Sequence, residues 1–334
     1  MSLQRLAAAA ALIATATATT ASAADVPVIG LITKTDSNPF FVAMRDGAAA
    51  EAHARGAKLL TAAGMNVQDN ASQVTAIENM VAAGAKTILI TASDTKAIVP
   101  SLRKAREKGV LVIALDTAID PPDAADALFA TDNYQAGVLI GQYAKVALAG
   151  KKPVIATLDL VPGYSVGTPR HNGFLHGLGV EAPDAKSSEL GRNAAVVCMV
   201  DSFGDQAKGQ SAMENCLQKN PDINFVYTVN EPAAAGAFNA LRKSGKEKGV
   251  TIVSIDGGCE GVRNVASGMI AATSQQYPTK MGALGVAAGV DYAHTGKKPS
   301  GYTDTGVALI AHKPLAGIQS KDVKDGTELC WGKK

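Results

Sequence analysis

An excess of charge of either sign is missing from this chain of 334 residues: 32 Lys and Arg stand against 30 Asp and Glu, a formal net of +2. Nothing in that balance suggests a nucleic-acid or anionic-membrane partner. Cysteine is sparse, with four residues and no Cys-x-x-Cys spacing, and the five histidines form no ligand cluster, which argues against a zinc site. No Gly-x-Gly-x-x-Gly turn and no Walker A loop is present, so a nucleotide phosphate cradle has no support. Beyond the first 24 residues no segment is apolar enough to span a membrane. Aromatics are few, at 4 %, with Trp331 the single tryptophan, whereas glycine is frequent at 33. With abundant Ala and Val, this composition describes a regular α/β protein rather than a disordered or disulfide-scaffolded one.

The N-terminus carries the clearest local signal. Arg5 precedes an apolar run from Leu6 to Ile13, and small residues end at Ala21-Ser22-Ala23-Ala24. That is the grammar of a secretory signal peptide, residues 1–23, cut after Ala23 or, fitting almost as well, after Ala24. The run is too short for a membrane anchor, so the mature chain is expected to be exported and soluble. What remains exceeds the length one core usually serves, and two domains are expected. In an oxidising compartment Cys198, Cys216, Cys259 and Cys330 permit two disulfides in any of three pairings. Cys259 with Cys330 is favoured because the polar tail ending Cys330-Trp331-Gly332 needs an anchor. Cys198 with Cys216 then follows by elimination, the alternative being two buried free thiols.

Short β-rich runs alternate with helix-length segments throughout, the pattern of a parallel sheet with crossover helices. Strands are expected at 28–32, 58–62, 87–91, 110–116 and 128–130, and again at 154–158, 196–200, 225–229, 251–255 and 271–274. Phe41, Met44, Ala48 and Ala52 recur at helical spacing, as do Ile77, Met80, Val81 and Gly84. The two series look like two similar α/β units.

Ligands of open α/β sheets sit beyond the carboxyl ends of strands, where this chain places many polar residues. After the first strand comes Asn38-Pro39-Phe40-Phe41, in which Asn38 suits a helix cap and Pro39 the first helical position. Two adjacent phenylalanines point different ways, so one is expected in the core and the other free to face a ligand. Asp94, Asp116-Thr117 and Asp132-Asn133 lie at strand ends of the first series, and Asn230, Asp256 and Gln275-Gln276 at those of the second. Each alone is an ordinary turn or cap residue. Together with an aromatic and Arg170 they suit a neutral polyhydroxylated ligand, whose hydroxyls both donate and accept while a ring stacks on its C–H face.

In order, Asn38-Pro39-Phe40-Phe41, Leu115-Asp116, Thr131-Asp132-Asn133, Arg170-His171-Asn172-Gly173-Phe174, Asn230-Glu231-Pro232, Ile255-Asp256-Gly257 and Gln276-Tyr277-Pro278 resemble the periplasmic sugar-binding proteins of ABC importers, ribose-binding type. The resemblance spans about residues 26–310 and is strongest toward the fructose-binding branch. It implies the type I periplasmic binding protein fold: two Rossmann-like lobes with parallel sheets, joined by three crossings. The lobes would comprise 25–131 plus 277–305, and 132–276 plus 306–334. It also implies a ligand held by Asn38, Phe40, Phe41 and Asp116 from the first lobe, Arg170, Asn230 and Asp256 from the second, and Gln276 at the hinge. Asp132 lies at a crossing, with a structural role as the alternative. Where ribose binders carry Arg after the strand-end Asp, this chain has Thr117, so that clamp is absent or is supplied by Asp94 or Lys34. The second lobe's aromatic falls near Phe203.

The resemblance implies a monosaccharide carrier needing no cofactor or metal, which closes on its sugar and presents it to an ABC permease. Fructose or a similar ketohexose is favoured, then ribose or another aldose, then polyols such as inositol. Docking on a chemotaxis receptor is compatible with that role, and a monomer is expected. Two rivals are weaker. Asp116 and Asp256 could act as acid and base on a glycosidic bond, but Arg170 is expected to keep both ionised. A sugar-sensing repressor would need a DNA-binding helix-turn-helix where the signal peptide stands.

Overall fold

The computed structural model describes residues 26–148, 150–160 and 165–333; the expected signal peptide lies outside them. The first sheet is built from β1 (Val28–Thr33), β2 (Lys58–Ala63), β3 (Thr87–Ile90), β4 (Leu111–Leu115) and β5 (Ala127–Ala130). Their crossovers carry α1 (Pro39–Ala54), α2 (Asn70–Ala82) and α3 (Val99–Glu107). The chain then enters a second sheet through α4 (Asn133–Ala147), β6 (Ile155–Asp159), α5 (Gly167–Leu178), β7 (Val196–Asp201), α6 (Gln206–Lys219) and β8 (Phe225–Thr228). There follow α7 (Glu231–Lys243), β9 (Thr251–Asp256), α8 (Cys259–Ala266) and β10 (Ala272–Gln275). It returns to the first sheet for α9 (Pro278–Thr295) and β11 (Gly301–Asp304), and ends on the second with β12 (Ala308–Ala311) and α10 (Val323–Leu329).

Strand order is β11-β5-β4-β3-β1-β2 in one sheet and β12-β10-β9-β8-β6-β7 in the other. Every pairing is parallel except β10 with β12. Helices cover both faces, so the inner strands read as continuous apolar runs. Leu111, Ile113 and Leu115 of β4 face one core layer, while Val112 and Ala114 face the other. Ile155 and Ala156 divide in the same way between the two layers of the second sheet. Fully burying each such Ile or Leu side chain contributes about 1.5–3 kcal/mol.

The ten expected strands all form, with no end moved by more than one residue. Neither β11 nor β12 was expected. The first is an exposed edge strand, Gly-Tyr-Thr-Asp, with no apolar alternation to betray it. Both disulfides take the favoured pairing, Cys198–Cys216 and Cys259–Cys330. Among the described residues no helix is long and apolar enough to cross a membrane.

Candidate functional site

In each sheet the strand order reverses beside the first strand of its series, at β1/β3 and at β6/β8. Loops diverge at such switch points and leave a crevice beyond the carboxyl ends. Gln73 of α2 braces the first one: its amide donates to Thr33 O (3.0 Å) and Thr91 O (2.9 Å) and accepts from Ser93 N (2.8 Å). The crevices face each other around a cavity of about 70 Å³. Since each water-sized sphere takes up roughly 10–15 Å³, this is room for one small polar molecule, not an oligomer.

Nine of the expected ligand residues line this cavity: Asn38, Phe40, Phe41 and Asp116 from the first-sheet half, Arg170, Phe203, Asn230 and Asp256 from the second, and Gln276 at a crossing. Lys34 joins them, with Val67, Leu160, Val166 and Gly204. Asn38 caps α1 by accepting from Phe40 N at 2.9 Å, which fixes where the two phenylalanines start. Their rings lie 5.4 Å apart, edge to face, and both are buried in the same apolar cluster as well as facing the cavity. The expected division of one ring to the core and one to the ligand is therefore not what the helix start produces.

Three expected residues are placed elsewhere. Asp94 is exposed and its carboxylate is used by the backbone N–H groups of Lys96 and Ala97, both at 2.9 Å. Asp132 is likewise exposed and caps α4 through Gln135 N. Thr117 is buried beneath the wall, donating to Asp116 Oδ2 at 2.8 Å and accepting from Lys34 Nζ at 2.9 Å. Of the two candidates for the missing first-half clamp, Asp94 and Lys34, it is Lys34 that stands at the cavity. Burial lowers its pKa, and Asp116 opposes that shift.

Arg170 is held rigidly. Nε donates to Asn133 Oδ1 at 2.7 Å and Nη1 to Val229 O at 2.9 Å, and the same Nη1 lies 3.8 Å from Asp256 Oδ1. Asp256 also accepts from Gln276 Nε2 at 2.7 Å. Its pKa is nevertheless pushed up to about 6, because burial outweighs Arg170 and Gln276. Arg170 is thus one of the groups that favour the ionised form of Asp256, working against the larger effect of burial. Gln276 Oε1 is buried with no protein partner among the described residues, an acceptor open to a ligand hydroxyl. Asn230 caps α7 and donates to Gly204 O at 3.0 Å, bringing the Phe203 loop against the site.

Sequence reasoning missed the braces. Asn133 was visible only as part of a crossing motif, yet it aims Arg170. Glu231 accepts from Gly257 N (2.8 Å), Gly258 N (3.1 Å) and Thr273 Oγ1 (2.9 Å), holding the turn that follows Asp256. Burial, reinforced by the charge of Asp256, pushes its carboxyl up to about 8. Behind Arg170, His171 bonds Asp159 Oδ1 through Nδ1 and Gly191 O through Nε2. Burial is the largest influence on that imidazole and lowers its pKa, but the Asp159 charge and the two bonds raise it on balance.

Backbone strain marks the same place. Asp116 (φ 62°), Phe203 (φ 54°) and Asp256 (φ 141°) are the non-glycine residues at positive φ among those described, and all three line the cavity. Such conformations cost about 1–3 kcal/mol each and persist where the surroundings over-determine them.

Residues 29–298 match the periplasmic binding protein domain. The ribose import binding protein RbsB of Bacillus subtilis is 32 % identical over 270 residues, 81 % of this chain and 82 % of the relative. Among solved structures, an ABC transporter periplasmic solute binding protein from Actinobacillus succinogenes 130z with bound D-allose superposes with TM-score 0.76 at 25 % identity, covering 90 % of this chain and 99 % of that one. An ABC transporter solute binding protein from Agrobacterium vitis with bound D-fucose gives TM-score 0.75 at 26 % identity, covering 87 % and 97 %. With the domain match spanning most of its length and the ordered strand-end residues gathered in one crevice, the chain belongs to the periplasmic binding protein family, ribose-binding type.

Proposed function

We propose that this protein binds one neutral monosaccharide between its two halves, closes on it, and delivers it to the membrane subunits of an ABC permease. The observation that carries the reading is the charge balance of the cavity. Two carboxylates, Asp116 and Asp256, face two cations, Lys34 and Arg170, leaving no net charge for an ionic ligand to neutralise. Hydroxyls satisfy such walls because each one donates to a carboxylate and accepts from a guanidinium or ammonium. The paired rings of Phe40 and Phe41 supply the apolar face for C–H groups. Contacts from both halves give the ligand more to hold in the closed form than in the open one, which is what shifts the equilibrium.

The halves are read as lobes 25–131 plus 277–305 and 132–276 plus 306–334, exported by the signal peptide to the periplasm and acting as a monomer. No chemical step is required. The relatives' names point to ribose, D-allose and D-fucose, whereas the branch resemblance favours fructose, so all four belong in one panel with myo-inositol. The test is calorimetry on refolded, ligand-free mature protein. One sugar should bind with one-to-one stoichiometry and be recovered unchanged. Asp256→Asn should weaken it about 10- to 100-fold, the worth of a hydrogen bond to a charged group. Binding of no sugar or polyol, or turnover of one, would sink the reading.

A further inference from the structure

The single tryptophan of the chain is attached to one half and packed into the other. Cys330 is bonded to Cys259 at the start of α8, α10 packs on α8 and β12, and the Cys259 N–H donates to Trp331 O at 2.9 Å. The tail is thus stapled to the second-sheet half, three residues from Asp256. The indole, only 8 % exposed, instead belongs to the apolar cluster of the first half, with Phe40, Phe41 and Met44. Its ring meets Phe40 edge-on, centroids 5.7 Å apart and planes at 82°. Its Nε1–H donates to the backbone carbonyl of Gln276 at 2.7 Å. Anchoring a tail requires the disulfide and the backbone bond; it does not require an indole placed behind two walls of the ligand cavity.

We propose that Trp331 is a positioning residue for the ligand site, held in place by the Cys259–Cys330 disulfide. It backs the Phe40 ring and fixes the Gln276 crossing, whose side chain in turn donates to Asp256. The Phe40 contact joins the two halves, so it exists when they meet and is lost when they part. It therefore stabilises the ligand-holding form, and sugar affinity rises by the same factor. The edge-to-face pair that forms on closing corresponds to up to about tenfold in affinity. This inference rests on the sugar-binding reading.

The test titrates mature protein with D-ribose, D-allose, D-fucose and D-fructose, following calorimetry and tryptophan emission in parallel. Since Trp331 is the single tryptophan, the emission reports the surroundings of this one side chain. The bound sugar should blue-shift it and reduce acrylamide quenching, saturating at the calorimetric Kd. Trp331→Ala should raise Kd about tenfold, mainly through faster dissociation, with Trp331→Phe intermediate. The Cys259→Ser/Cys330→Ser pair should weaken binding likewise and red-shift the ligand-free emission. A purely structural tryptophan would lower the melting temperature in these variants and leave Kd unchanged; that result, with emission insensitive to bound sugar, overturns the proposal. Should Trp331→Ala fail to fold by circular dichroism, Trp331→Phe and the cysteine pair decide. If wild-type protein binds none of the sugars, the sugar reading itself falls and takes this one with it.

Discussion

Asp256 sits between opposing influences: burial pushes its pKa up to about 6, while Arg170 and Gln276 pull it down. The ionised form is the better acceptor for sugar hydroxyls, so affinity should fall as pH drops from 7.5 to 5, and binding near pH 6 should release a proton. Calorimetry in buffers of different ionisation enthalpy measures that release. Arg170→Met removes a group that lowers the pKa, so the midpoint of the affinity profile should move to higher pH; an unmoved midpoint would mean that Asp256 is not the titrating group. Glu231 acts on stability instead. Its folded pKa, about 8, lies above the ordinary 4.5, so its contribution is fully present below about pH 4.5 and is lost as pH rises through 8. The melting temperature of ligand-free protein should fall over that range, and Glu231→Gln should flatten the fall even if it lowers the starting value. An equally steep fall in the variant would assign the effect elsewhere. At this scale the sequence was partly legible. Asn38, Asp116, Asn230 and Asp256 stand at strand ends and line the cavity, but Asp94 and Asp132 stand at equivalent places, where the first holds a turn and the second caps α4. Strand ends and helix starts call for the same residue types, and only the three-dimensional turn decides which way the carboxylate faces. Trp331 and Asn133 act across long sequence separations that no local pattern encodes.

Helix pairs position those residues, and they do so through glycine. Cβ atoms added at Gly137 and Gly141 of α4 would each come within 2.1 Å of a carbonyl on α5, those of Arg170 and Phe174. Gly173 and Gly177 of α5 meet the carbonyls of Tyr134 and Val138 in return, at 2.1 and 2.2 Å. The two helices therefore pack backbone against backbone, and the contact at Gly137 is with the peptide of the cavity-lining Arg170. Gly137→Ala must push α5 away, at an overpacking cost of about 1–3 kcal/mol or more, and should displace Arg170 and weaken sugar binding. Gly141→Ala, one turn further from the site, should cost similar stability with a smaller loss of affinity. Thermal melts and calorimetry on both variants separate the effects; equal losses of affinity would show that Arg170 is not the element disturbed. Apolar runs such as Thr87–Ile90 and Leu111–Leu115 made the parallel sheets readable, because strands covered on both faces tolerate little polarity. These close helix contacts were not readable, since a glycine in a helix carries the same letter whether it faces water or a neighbouring backbone.

Two sheets with their own apolar layers, linked where the chain passes between β5 and α4, β10 and α9, and β11 and β12, form a molecule whose stiff parts are large and whose links are short. Bonds within each half, such as Cys198–Cys216, do not restrain their relative motion. Those at the interface do, and they include Trp331 with Phe40 and any ligand between Asp116 and Asp256. A sugar that bonds both walls replaces cavity water and favours the approach of the halves, so saturating ligand should lower the radius of gyration measured by small-angle X-ray scattering. Asp256→Asn at the same sugar concentration should stay at the ligand-free value and reach the compact one only when the concentration is raised in proportion to its Kd. A wild-type protein that binds sugar by calorimetry without contracting would have its site assembled before the ligand arrives. The permease would then have no closed shape to recognise, and the carrier's loaded state would have to be signalled by the ligand's own surface.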